Sequence, residues 1–588
     1  MLPYSPPLDD MRFALDLAGL GELSSLEPFG DASSDLVRAL LDEAGRFVTD
    51  VIAPLYRVGD EHGSVLQDGE VVTPPGYKEA YSRFVEAGWP AAAFPPEWGG
   101  GGMPFAVGVA IQEMVTAADM AFSLCPMLTY SATEMLLSHG SDEQHATYLE
   151  KLVTGEWTGT MVLTEPHAGS DVGALSTKAV PAGDGTWRIT GQKIFITWGD
   201  HDVADNIVHI VLARTPGAPP GTKGISTFIV PKYLVNPDGT RGERNDITTV
   251  SLEHKLGIHA SPTCALSFGD HGGAVGYLVG LEHQGMAYMF TMMNNARLQV
   301  GIEGLAVAER AHQHAAAYAT ERRQGRAVGA PRDQASLIVE HPDVRRMVML
   351  MRSQTEAMRA VMYRNAAAID FAKHHPEESR RRWEEHVAAI LTPVSKAWGT
   401  DLGVDMASLD VQVHGGMGFI EETGAAQLLR DSRIAPIYEG TNGIQAIDLV
   451  TRKLPLDGGD AIRRLLGEMR TTADSLNGEN KVIGERLAAA LDTVDTATEH
   501  LLGAEPNDAL AGATPYLEML GTTLGGWMLG KGAAAAAEGP DGFSPGFCQA
   551  KQATARFYAV HVLSTVPGLL GTVTAGADSI FAVDQAAL

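Results

Sequence analysis

A short segment in the last third of the sequence carries a carboxylate in a setting suited to proton abstraction. Glu439 lies between Tyr438 and Gly440 within residues 437–445. A Glu beside a glycine can bring both its side chain and its own backbone N–H close to a ligand. One residue then supplies a base for a proton next to a carbonyl group and a hydrogen bond to the carbonyl oxygen. For this segment alone, a polar turn is the alternative interpretation, because most isolated Glu-Gly pairs are only turns.

Four segments upstream of Glu439 help to interpret this carboxylate. They are Met-Val-Leu-Thr-Glu-Pro-His-Ala-Gly-Ser-Asp at 161–171, Gly-Gln-Lys-Ile-Phe-Ile-Thr at 191–197, Asn-Asn-Ala-Arg at 294–297 and Gln-Val-His-Gly-Gly-Met-Gly at 412–418. Together with Tyr-Glu-Gly-Thr at 438–441, they resemble in order the signature segments of the acyl-CoA dehydrogenase family of flavoenzymes. Five ordered matches favour membership of that family over coincidence.

The resemblance implies an FAD-dependent dehydrogenation of an acyl-CoA thioester to the trans-2-enoyl-CoA. In such a reaction a base removes the α proton, and a flavin accepts the β hydrogen as hydride. Glu439 lies where the family keeps its base, and a closed apolar site should raise its pKa through desolvation. No Cys or His lies in a known flavin-attachment pattern, so we expect the FAD to be bound non-covalently.

The resemblance also implies binding positions. Those for the cofactor are Met161, Leu163, Thr164, Ser170, Phe195, Thr197, Arg322, Gln412, Gly415, Gly416 and Thr441. Those for the substrate are Ser170, Asn294, Arg297 and Gly440. Phe195 stands where many relatives have Trp, which keeps ring stacking but loses an indole N–H, and Asn294 stands where relatives often have Asp. Either Arg322 or Arg323 resembles the Arg that reaches the flavin pyrophosphate of a neighbouring subunit.

Other interpretations of these residues exist. Thr and Phe on strands often reflect β-propensity alone, and the 415–416 glycines also suit an ordinary turn. His167, His254 and His414 lie far apart, with no carboxylate at metal-ligand spacing, so we expect no metal site.

Composition narrows the function classes. The chain has 588 residues, with 72 Asp and Glu against 44 Lys and Arg, a net charge of −28. That charge disfavours nucleic acid and anionic membranes as partners. The three cysteines are scattered and odd in number, which indicates a reducing compartment without disulfides. The first ten residues show no basic n-region or apolar core, and no run of about 18 apolar residues suggests a membrane span. We therefore expect a cytoplasmic protein.

Hydrophobic periodicity predicts an α+β fold, and the resemblance implies that its domains follow the acyl-CoA dehydrogenase-like order. Helical spacing dominates an N-terminal domain at 1–156. Short β-branched and aromatic runs between turn residues predict a β domain at 157–280. Long amphipathic segments predict a helical bundle with the catalytic Glu at 281–454, and an additional helical domain follows at 455–588. Residues 236–240 read as a reverse turn, followed by a charged loop at 241–246.

The extension beyond residue 453 resembles a larger bacterial subgroup of the family. That subgroup includes enzymes acting on 3-(methylthio)propanoyl-CoA in dimethylsulfoniopropionate breakdown, and we expect this substrate, converted to methylthioacryloyl-CoA. The Met-rich segment 286–293 reads as helix core, and by the resemblance its pocket-facing side would line the acyl tail. The resemblance further implies electron-transfer flavoprotein as the electron acceptor and a homodimer or larger homo-oligomer.

Four alternatives remain open at this level. The first is a broad-range short/medium- to long-chain fatty acyl-CoA dehydrogenase of β-oxidation. An acyl-CoA oxidase would share the base and the flavin but pass electrons to oxygen. A DNA-associated flavoprotein would need a basic surface, which the net charge opposes. A catalytically idle structural homologue is the fourth.

Overall fold

The computed structural model of the protein describes residues 4–331 and 333–588. The helices ahead of the β domain are α1 (Leu8–Ala18), α2 (Leu20–Leu23), α3 (Ser34–Phe47), α4 (Leu55–His62), α5 (Tyr77–Glu86), α6 (Phe105–Ala118), α7 (Met120–His139) and α8 (Asp142–Thr154). A hairpin of β1 (Val65–Gln67) and β2 (Glu70–Val72) interrupts them, which helical periodicity did not predict. Asp68 and Gly69 both have positive φ, as a two-residue Asp-Gly hairpin turn requires.

The β domain is built on one mixed sheet. Its strands, with those of a second hairpin, are β3 (Thr158–Val162), β4 (Lys178–Pro181), β5 (Trp187–Thr197), β6 (Ile207–Arg214), β7 (Ile225–Pro231), β8 (Tyr233–Val235), β9 (Arg241–Arg244), β10 (Ile247–Leu252), β11 (Thr263–Phe268) and β12 (Ala274–Leu278). Neighbours in the sheet run β10-β11-β5-β12-β7-β6-β3, and β4 pairs with β5 and β6. Every residue of β7 is buried, including the polar Ser226 and Thr227.

One local prediction is wrong. The reverse turn at 236–240 forms, but residues 241–244 are the strand β9 and not a loop, because they pair antiparallel with β8. The Asn236 amide donates to the Thr240 hydroxyl at 2.9 Å and closes the turn. The Arg241 guanidinium lies over the Tyr233 ring at 4.6 Å, so a charged side chain also holds the strand pair.

Helices return after the sheet. They are α9 (Gly285–Glu321), α10 (Pro342–His374), α11 (Glu378–His414), α12 (Ala425–Ser432), α13 (Asn442–Asp448), α14 (Asp460–Ser475), α15 (Lys481–Gly503), α16 (Pro506–Ala511), α17 (Ala513–Glu538), α18 (Pro545–His561) and α19 (Val566–Val573). The turn before α14 contains Asp457 and Gly458, both with positive φ. Within the described residues, none of the helices is both long and apolar enough to traverse a membrane.

The described residues form two compact units. The helical unit comprises Pro104–Glu113, Arg297–Leu588 and the chain up to Asp42, and the sheet unit comprises Glu43–Met103 and Met114–Ala296. The sheet unit has its core on both faces of the sheet, around residues such as Ile210 and Phe228.

Glycines bring α9 and α11 together within the helical unit. A Cβ on Gly304 would lie 2.2 Å from the Gly399 carbonyl oxygen, and one on Gly301 would lie 2.5 Å from the Ser395 carbonyl oxygen. The two backbones therefore approach at a distance that only glycine allows. This contact brings the polar residues Glu303 of α9 and Lys396 of α11 to the segment that carries Glu439.

Candidate active site

The Glu439 segment of the helical unit has a strained backbone. It connects α12 to α13, and Glu439 itself has φ +58°, followed by Gly440 at φ +82°. A non-glycine residue in this region costs about 1–3 kcal/mol and persists only where its surroundings enforce it. The Gln445 side-chain amide donates to the carbonyl oxygens of Glu439 (3.2 Å) and Gly440 (3.3 Å). A Cβ on Gly440 would lie 2.8 Å from that amide nitrogen, and the positive φ of this residue favours glycine.

Thr441 starts α13 directly after this turn. Its hydroxyl accepts a hydrogen bond from the Ile444 backbone N–H at 3.3 Å, which caps the helix. A structural role is therefore visible for a residue that the family resemblance assigns to the cofactor.

The Glu439 carboxyl is poised to exchange a proton near neutral pH. Burial raises its pKa to about 7, even though the positive charges of Arg297 and Lys396 lower it. This is the direction expected from the sequence. A general base works best when its pKa lies near the operating pH.

Lys396 is a buried cation that sequence reasoning missed. Its side chain is fully buried, and its Nζ donates to the Asn442 side-chain oxygen at 2.7 Å. The Asn442 amide in turn donates to the Asp401 carboxylate at 2.8 Å and the Ala397 carbonyl at 3.1 Å. Burial lowers the pKa of Lys396 to about 8, although Glu439 and Glu303 raise it. These contacts tie the start of α13 to α11.

The predicted substrate residues Arg297 and Asn294 differ in their surroundings. Arg297 is buried, and its Nη1 lies 3.8 Å from the Asp448 carboxylate. Burial lowers its pKa, while Asp448 and Glu439 raise it. Among the described residues its Nε has no hydrogen-bond partner. Asn294, on the part of α9 that belongs to the sheet unit, is exposed.

The sheet unit carries the predicted flavin-facing residues. Met161 lies at the end of β3, followed by Leu163 and Thr164, while Phe195 and Thr197 lie at the end of β5. Ser170 is exposed on a bend after the β3 segment.

Phe195 is the unusual member of this group. The residue is 58% exposed, and its φ is +58°. Trp198, three residues on, also has a positive φ, and its indole N–H donates to the Ala121 carbonyl at 3.1 Å. An exposed aromatic ring held by a strained strand end suits a flat ligand ring.

A buried ion pair fixes these strand ends, and sequence reasoning missed it. The Lys193 Nζ donates to the Leu163 carbonyl at 2.8 Å and to the Glu165 carboxylate at 2.9 Å. Glu165 also accepts hydrogen bonds from the backbone N–H and hydroxyl of both Ser176 and Thr177. Burial alone would raise the pKa of Glu165, but Lys193 and these hydrogen bonds lower it to about 2. The carboxylate therefore stays charged near neutral pH, and its hydrogen bonds hold the backbone from 163 to 165 in place.

The remaining predicted cofactor residues lie in the helical unit. Gln412 is exposed in the last turn of α11, and Gly415 has φ +60° and ψ −136°. A Cβ on Gly415 or Gly416 would meet nothing within 4 Å, so their backbone is open to a ligand. Arg322 is exposed after α9, whereas the Arg323 guanidinium donates to the Ala335 carbonyl at 2.9 Å. That contact favours Arg322 as the arginine available to a phosphate.

His414 belongs to a buried cluster that the sequence did not indicate. Its Nδ1 lies 3.0 Å from one Asp410 carboxylate oxygen, and the Nδ1 of His314 lies 2.9 Å from the other. Burial lowers the pKa of His414, but the hydrogen bond and charge of Asp410 outweigh it, and the pKa rises. The nitrogen and oxygen atoms lie within 4.8 Å of one another, a spacing compatible with a metal ion. Both imidazoles already pair with the Asp410 carboxylate. The expectation that the protein has no metal site remains a prediction.

Comparison with known proteins identifies the family. The chain is 47% identical to 3-methylmercaptopropionyl-CoA dehydrogenase of Ruegeria pomeroyi, across 98% of this chain and 99% of that protein. The chain belongs to the acyl-CoA dehydrogenase family. Family models match in order: the acyl-CoA dehydrogenase N-terminal domain at 34–156, middle domain at 160–271 and C-terminal domain at 283–454, and an acetyl-CoA dehydrogenase C-terminal-like model at 465–584. The family and fold class expected from the sequence are thereby confirmed.

Two further acyl-CoA dehydrogenases are similar over nearly the whole chain. One is the broad-specificity linear acyl-CoA dehydrogenase FadE5 of Mycobacterium tuberculosis, 33% identical over the full length of both proteins. The other is a solved acyl-CoA dehydrogenase of Bacillus anthracis complexed with FAD, with a TM-score of 0.71, 21% identity and coverage of 94% of this chain and 93% of that one. The latter similarity shows the fold.

Proposed function

We propose that this protein dehydrogenates an acyl-CoA thioester between its α and β carbons, with FAD as the hydride acceptor. The observation that carries the proposal is the Glu439 turn: a carboxyl with a pKa of about 7, on a strained Glu-Gly backbone next to two buried cations. A carboxylate removes an α proton from a thioester only if the enolate charge is stabilised as it forms. The Glu439 N–H and the positive charges of Arg297 and Lys396 supply that stabilisation.

The residues present fit an FAD. The exposed Phe195 ring offers a stacking surface for isoalloxazine, and the half-buried Thr164 and Thr197 offer polar groups for its edge. Met161, Leu163, Ser170 and Thr441 complete the cofactor contacts in this proposal. The open backbone of Gly415 and Gly416, with Gln412 and Arg322, suits the adenosine and pyrophosphate portion. When bound, FAD supplies the two-electron acceptor that amino-acid side chains lack.

Substrate binding is assigned to a second group. Gly440 allows the thioester to approach the backbone, and Asn294, Arg297 and Ser170 contact CoA in this proposal. Glu439 holds the abstracted α proton on its carboxyl group.

We infer 3-(methylthio)propanoyl-CoA as the substrate, converted to methylthioacryloyl-CoA. The full-length similarity to the Ruegeria enzyme supports this choice. Met289 and Met292 are buried in the core of the sheet unit, whereas Met286 and Met293 are only partly buried. A soft thioether surface at these two residues accepts the sulfur of the acyl chain. Saturated linear acyl-CoA is the second candidate, because FadE5 is similar over its whole length.

Further properties follow from the family rather than from this chain's geometry. We propose electron-transfer flavoprotein as the acceptor, a homodimer as the smallest assembly, a cytoplasmic location, and a role in dimethylsulfoniopropionate degradation. The four domains are proposed to be 1–156, 157–280, 281–454 and 455–588. A monomer with full flavin occupancy in light scattering would contradict the dimer, and yellow colour kept in an acid-denatured pellet would contradict non-covalent FAD.

An anaerobic substrate panel tests the proposed function. The purified holoenzyme is mixed with 3-(methylthio)propanoyl-CoA, butyryl-CoA and longer acyl-CoA thioesters, and the loss of flavin absorbance is followed. Bleaching with formation of the enoyl-CoA supports the proposal, and an absence of bleaching by every thioester contradicts it. Rapid reoxidation of the bleached enzyme by oxygen, faster than by electron-transfer flavoprotein, would indicate an oxidase instead.

A further inference from the structure

A second carboxyl group lies buried beside the Glu439 turn. Glu303, in the middle of α9, is only 1% exposed. The Tyr438 hydroxyl donates to one of its carboxyl oxygens at 2.5 Å. The other oxygen is buried and has no hydrogen-bond partner among the described residues. A half-paired carboxyl at this depth is costly, so its retention needs a reason beyond packing.

Tyr438 links this carboxyl to the catalytic segment. It immediately precedes Glu439, whose left-handed backbone must be enforced by its surroundings. On the C-terminal side, the Gln445 amide holds the Glu439 and Gly440 carbonyls. On the N-terminal side, the Tyr438–Glu303 hydrogen bond anchors the segment to α9. The strained turn is thus held from both ends.

We propose that Glu303 is a positioning residue, which acts through the Tyr438 hydroxyl to fix Glu439 in the geometry for α-proton abstraction. This inference rests on the proposed dehydrogenase function. Glu303 does not touch the reacting atoms in this assignment. Its carboxyl accepts one hydrogen bond, and that bond sets where the neighbouring residue can lie.

The charges around Glu303 are consistent with a neutral carboxyl. They are Lys396 from α11, and Glu439 and Tyr438 from the turn. Burial raises the pKa of Glu303 to about 8, while the Tyr438 hydrogen bond and Lys396 lower it and Glu439 raises it. A neutral side chain beside Glu439 leaves the positive charges of Arg297 and Lys396 free to act on the base. Gln at position 303 would keep both the neutrality and the acceptor oxygen.

The test uses four variants of the full-length holoenzyme. Glu303→Ala and Tyr438→Phe each remove the hydrogen bond, Glu303→Gln keeps it, and the double variant Glu303→Ala/Tyr438→Phe reports the coupling. Tyr363→Phe is the matched control, because the Tyr363 hydroxyl donates to the buried Glu113 carboxylate at 2.6 Å and neither group acts on the pKa of Glu439. Flavin occupancy is measured for each, followed by kcat and KM with the best acyl-CoA of the panel.

The proposal predicts a lower kcat with little change in KM. A misplaced base costs about 10–100-fold in kcat, so both bond-removing variants should show that loss at similar KM and full flavin occupancy. The double variant should lose no more than either single variant, because one bond is removed in each case. Glu303→Gln should recover most of the loss, and Tyr363→Phe should match the parent.

The opposite pattern overturns the inference. If Glu303→Gln is as poor as Glu303→Ala while Tyr438→Phe is unaffected, Glu303 serves as a charge partner of Lys396 and not as a positioning residue. Parent-like kcat in Tyr438→Phe overturns it even if Glu303→Ala fails to fold. Failure of the unmodified enzyme to be bleached by any acyl-CoA would instead reject the function on which the inference rests.

Discussion

The helical unit and the sheet unit differ in the pKa of the buried carboxyl groups beside their predicted functional residues. In the sheet unit, Glu165 and Lys193 form a buried pair whose carboxylate accepts five hydrogen bonds, and the pKa of Glu165 is lowered to about 2. In the helical unit, Glu439, Glu303 and Lys396 have pKa values of about 7, 8 and 8, close to neutrality.

The difference in carboxyl pKa suits the two units to different tasks. In the sheet unit the Glu165 carboxylate stays charged near neutral pH, although burial lowers the pKa of its partner Lys193 to about 8, and its hydrogen bonds fix the strand ends, which suits holding a ligand ring in place. A set of buried ionisable groups with pKa values near neutrality can gain and lose a proton during turnover. We therefore expect the sheet unit to position a ligand and the helical unit to carry out proton transfer.

The largest expected effect is a loss of proton transfer when Glu439 is replaced. Glu439→Gln keeps the size and hydrogen bonding of the side chain but removes the base. Flavin reduction by acyl-CoA should fall by at least about 10²–10⁴-fold, with FAD still bound, because general-base catalysis contributes that much. Stopped-flow bleaching measures the rate. A rate within tenfold of the parent would mean that another group is the base.

The next largest expected effect is a loss of stability in the sheet unit. Glu165→Gln leaves Lys193 buried without its counter-charge, so the free energy of unfolding should fall by about 3–5 kcal/mol. Glu156→Gln, in the exposed pair that Glu156 forms with Lys151, is the control and should cost about 0–1 kcal/mol. Urea unfolding measures both. Equal costs in the two variants would show that the buried pair does not stabilise the sheet unit.

The same pair gives a pH signature. The pKa of Glu165 is lower in the folded state than in the unfolded chain, so its contribution to stability is present above the unfolded value. That contribution should be lost as the pH falls from about 4.3 toward about 2. In Glu165→Gln this part of the pH dependence should be missing.

Two glycine-to-alanine variants test whether the backbone of the Glu439 turn needs glycine at position 440. Gly440→Ala places a Cβ against the Gln445 amide on a left-handed backbone, which should cost about 1–3 kcal/mol of local strain and lower kcat. Gly443→Ala is the control, since the nearest atom to its Cβ would be the Thr441 hydroxyl at 3.8 Å. Initial-rate kinetics on both variants measure the difference. Identical kcat values would show that the close approach at Gly440 is not needed.

The smallest effect concerns the acyl chain. One methylene group in an apolar pocket is worth about 1–3 kcal/mol, so the preference for 3-(methylthio)propanoyl-CoA over a similar alkyl-CoA should be modest. Ratios of kcat/KM across the substrate panel measure it. A value for a chain of about twelve carbons that exceeds the methylthio substrate by a hundredfold would reject the substrate but keep the family.

Sequence reasoning predicted the structural features that depend on residues close together in the chain. The helical segments, the apolar strands and the Glu439 turn each follow from residues close together in the chain. Hydrophobic periodicity failed at β9, because its stability comes from pairing with β8 and from the Arg241–Tyr233 contact rather than from apolar alternation.

The networks that hold the site were beyond sequence reasoning. Glu303 and Tyr438 are 135 residues apart, and Lys396 and Asn442 are 46 apart. Their pairing depends on how closely α9 and α11 pack, which Gly301 and Gly304 decide through three-dimensional contact. Lys193 precedes the apolar run 194–196 of β5, and a Lys that is buried there needs a counter-charge, since an unpaired charge is rarely buried.

The pH dependence of kcat/KM tests the central assignment most directly. Burial raises the pKa of Glu439 to about 7 in the free protein, so kcat/KM for flavin reduction should rise with pH through an apparent pKa of about 7 and level off above it. The measurement is made anaerobically on the parent enzyme and on Glu439→Gln, between about pH 5 and pH 9. The predicted result is the rising limb in the parent and its loss in the variant. A flat profile in the parent, or the same rising limb in Glu439→Gln, would contradict the assignment of Glu439 as the base.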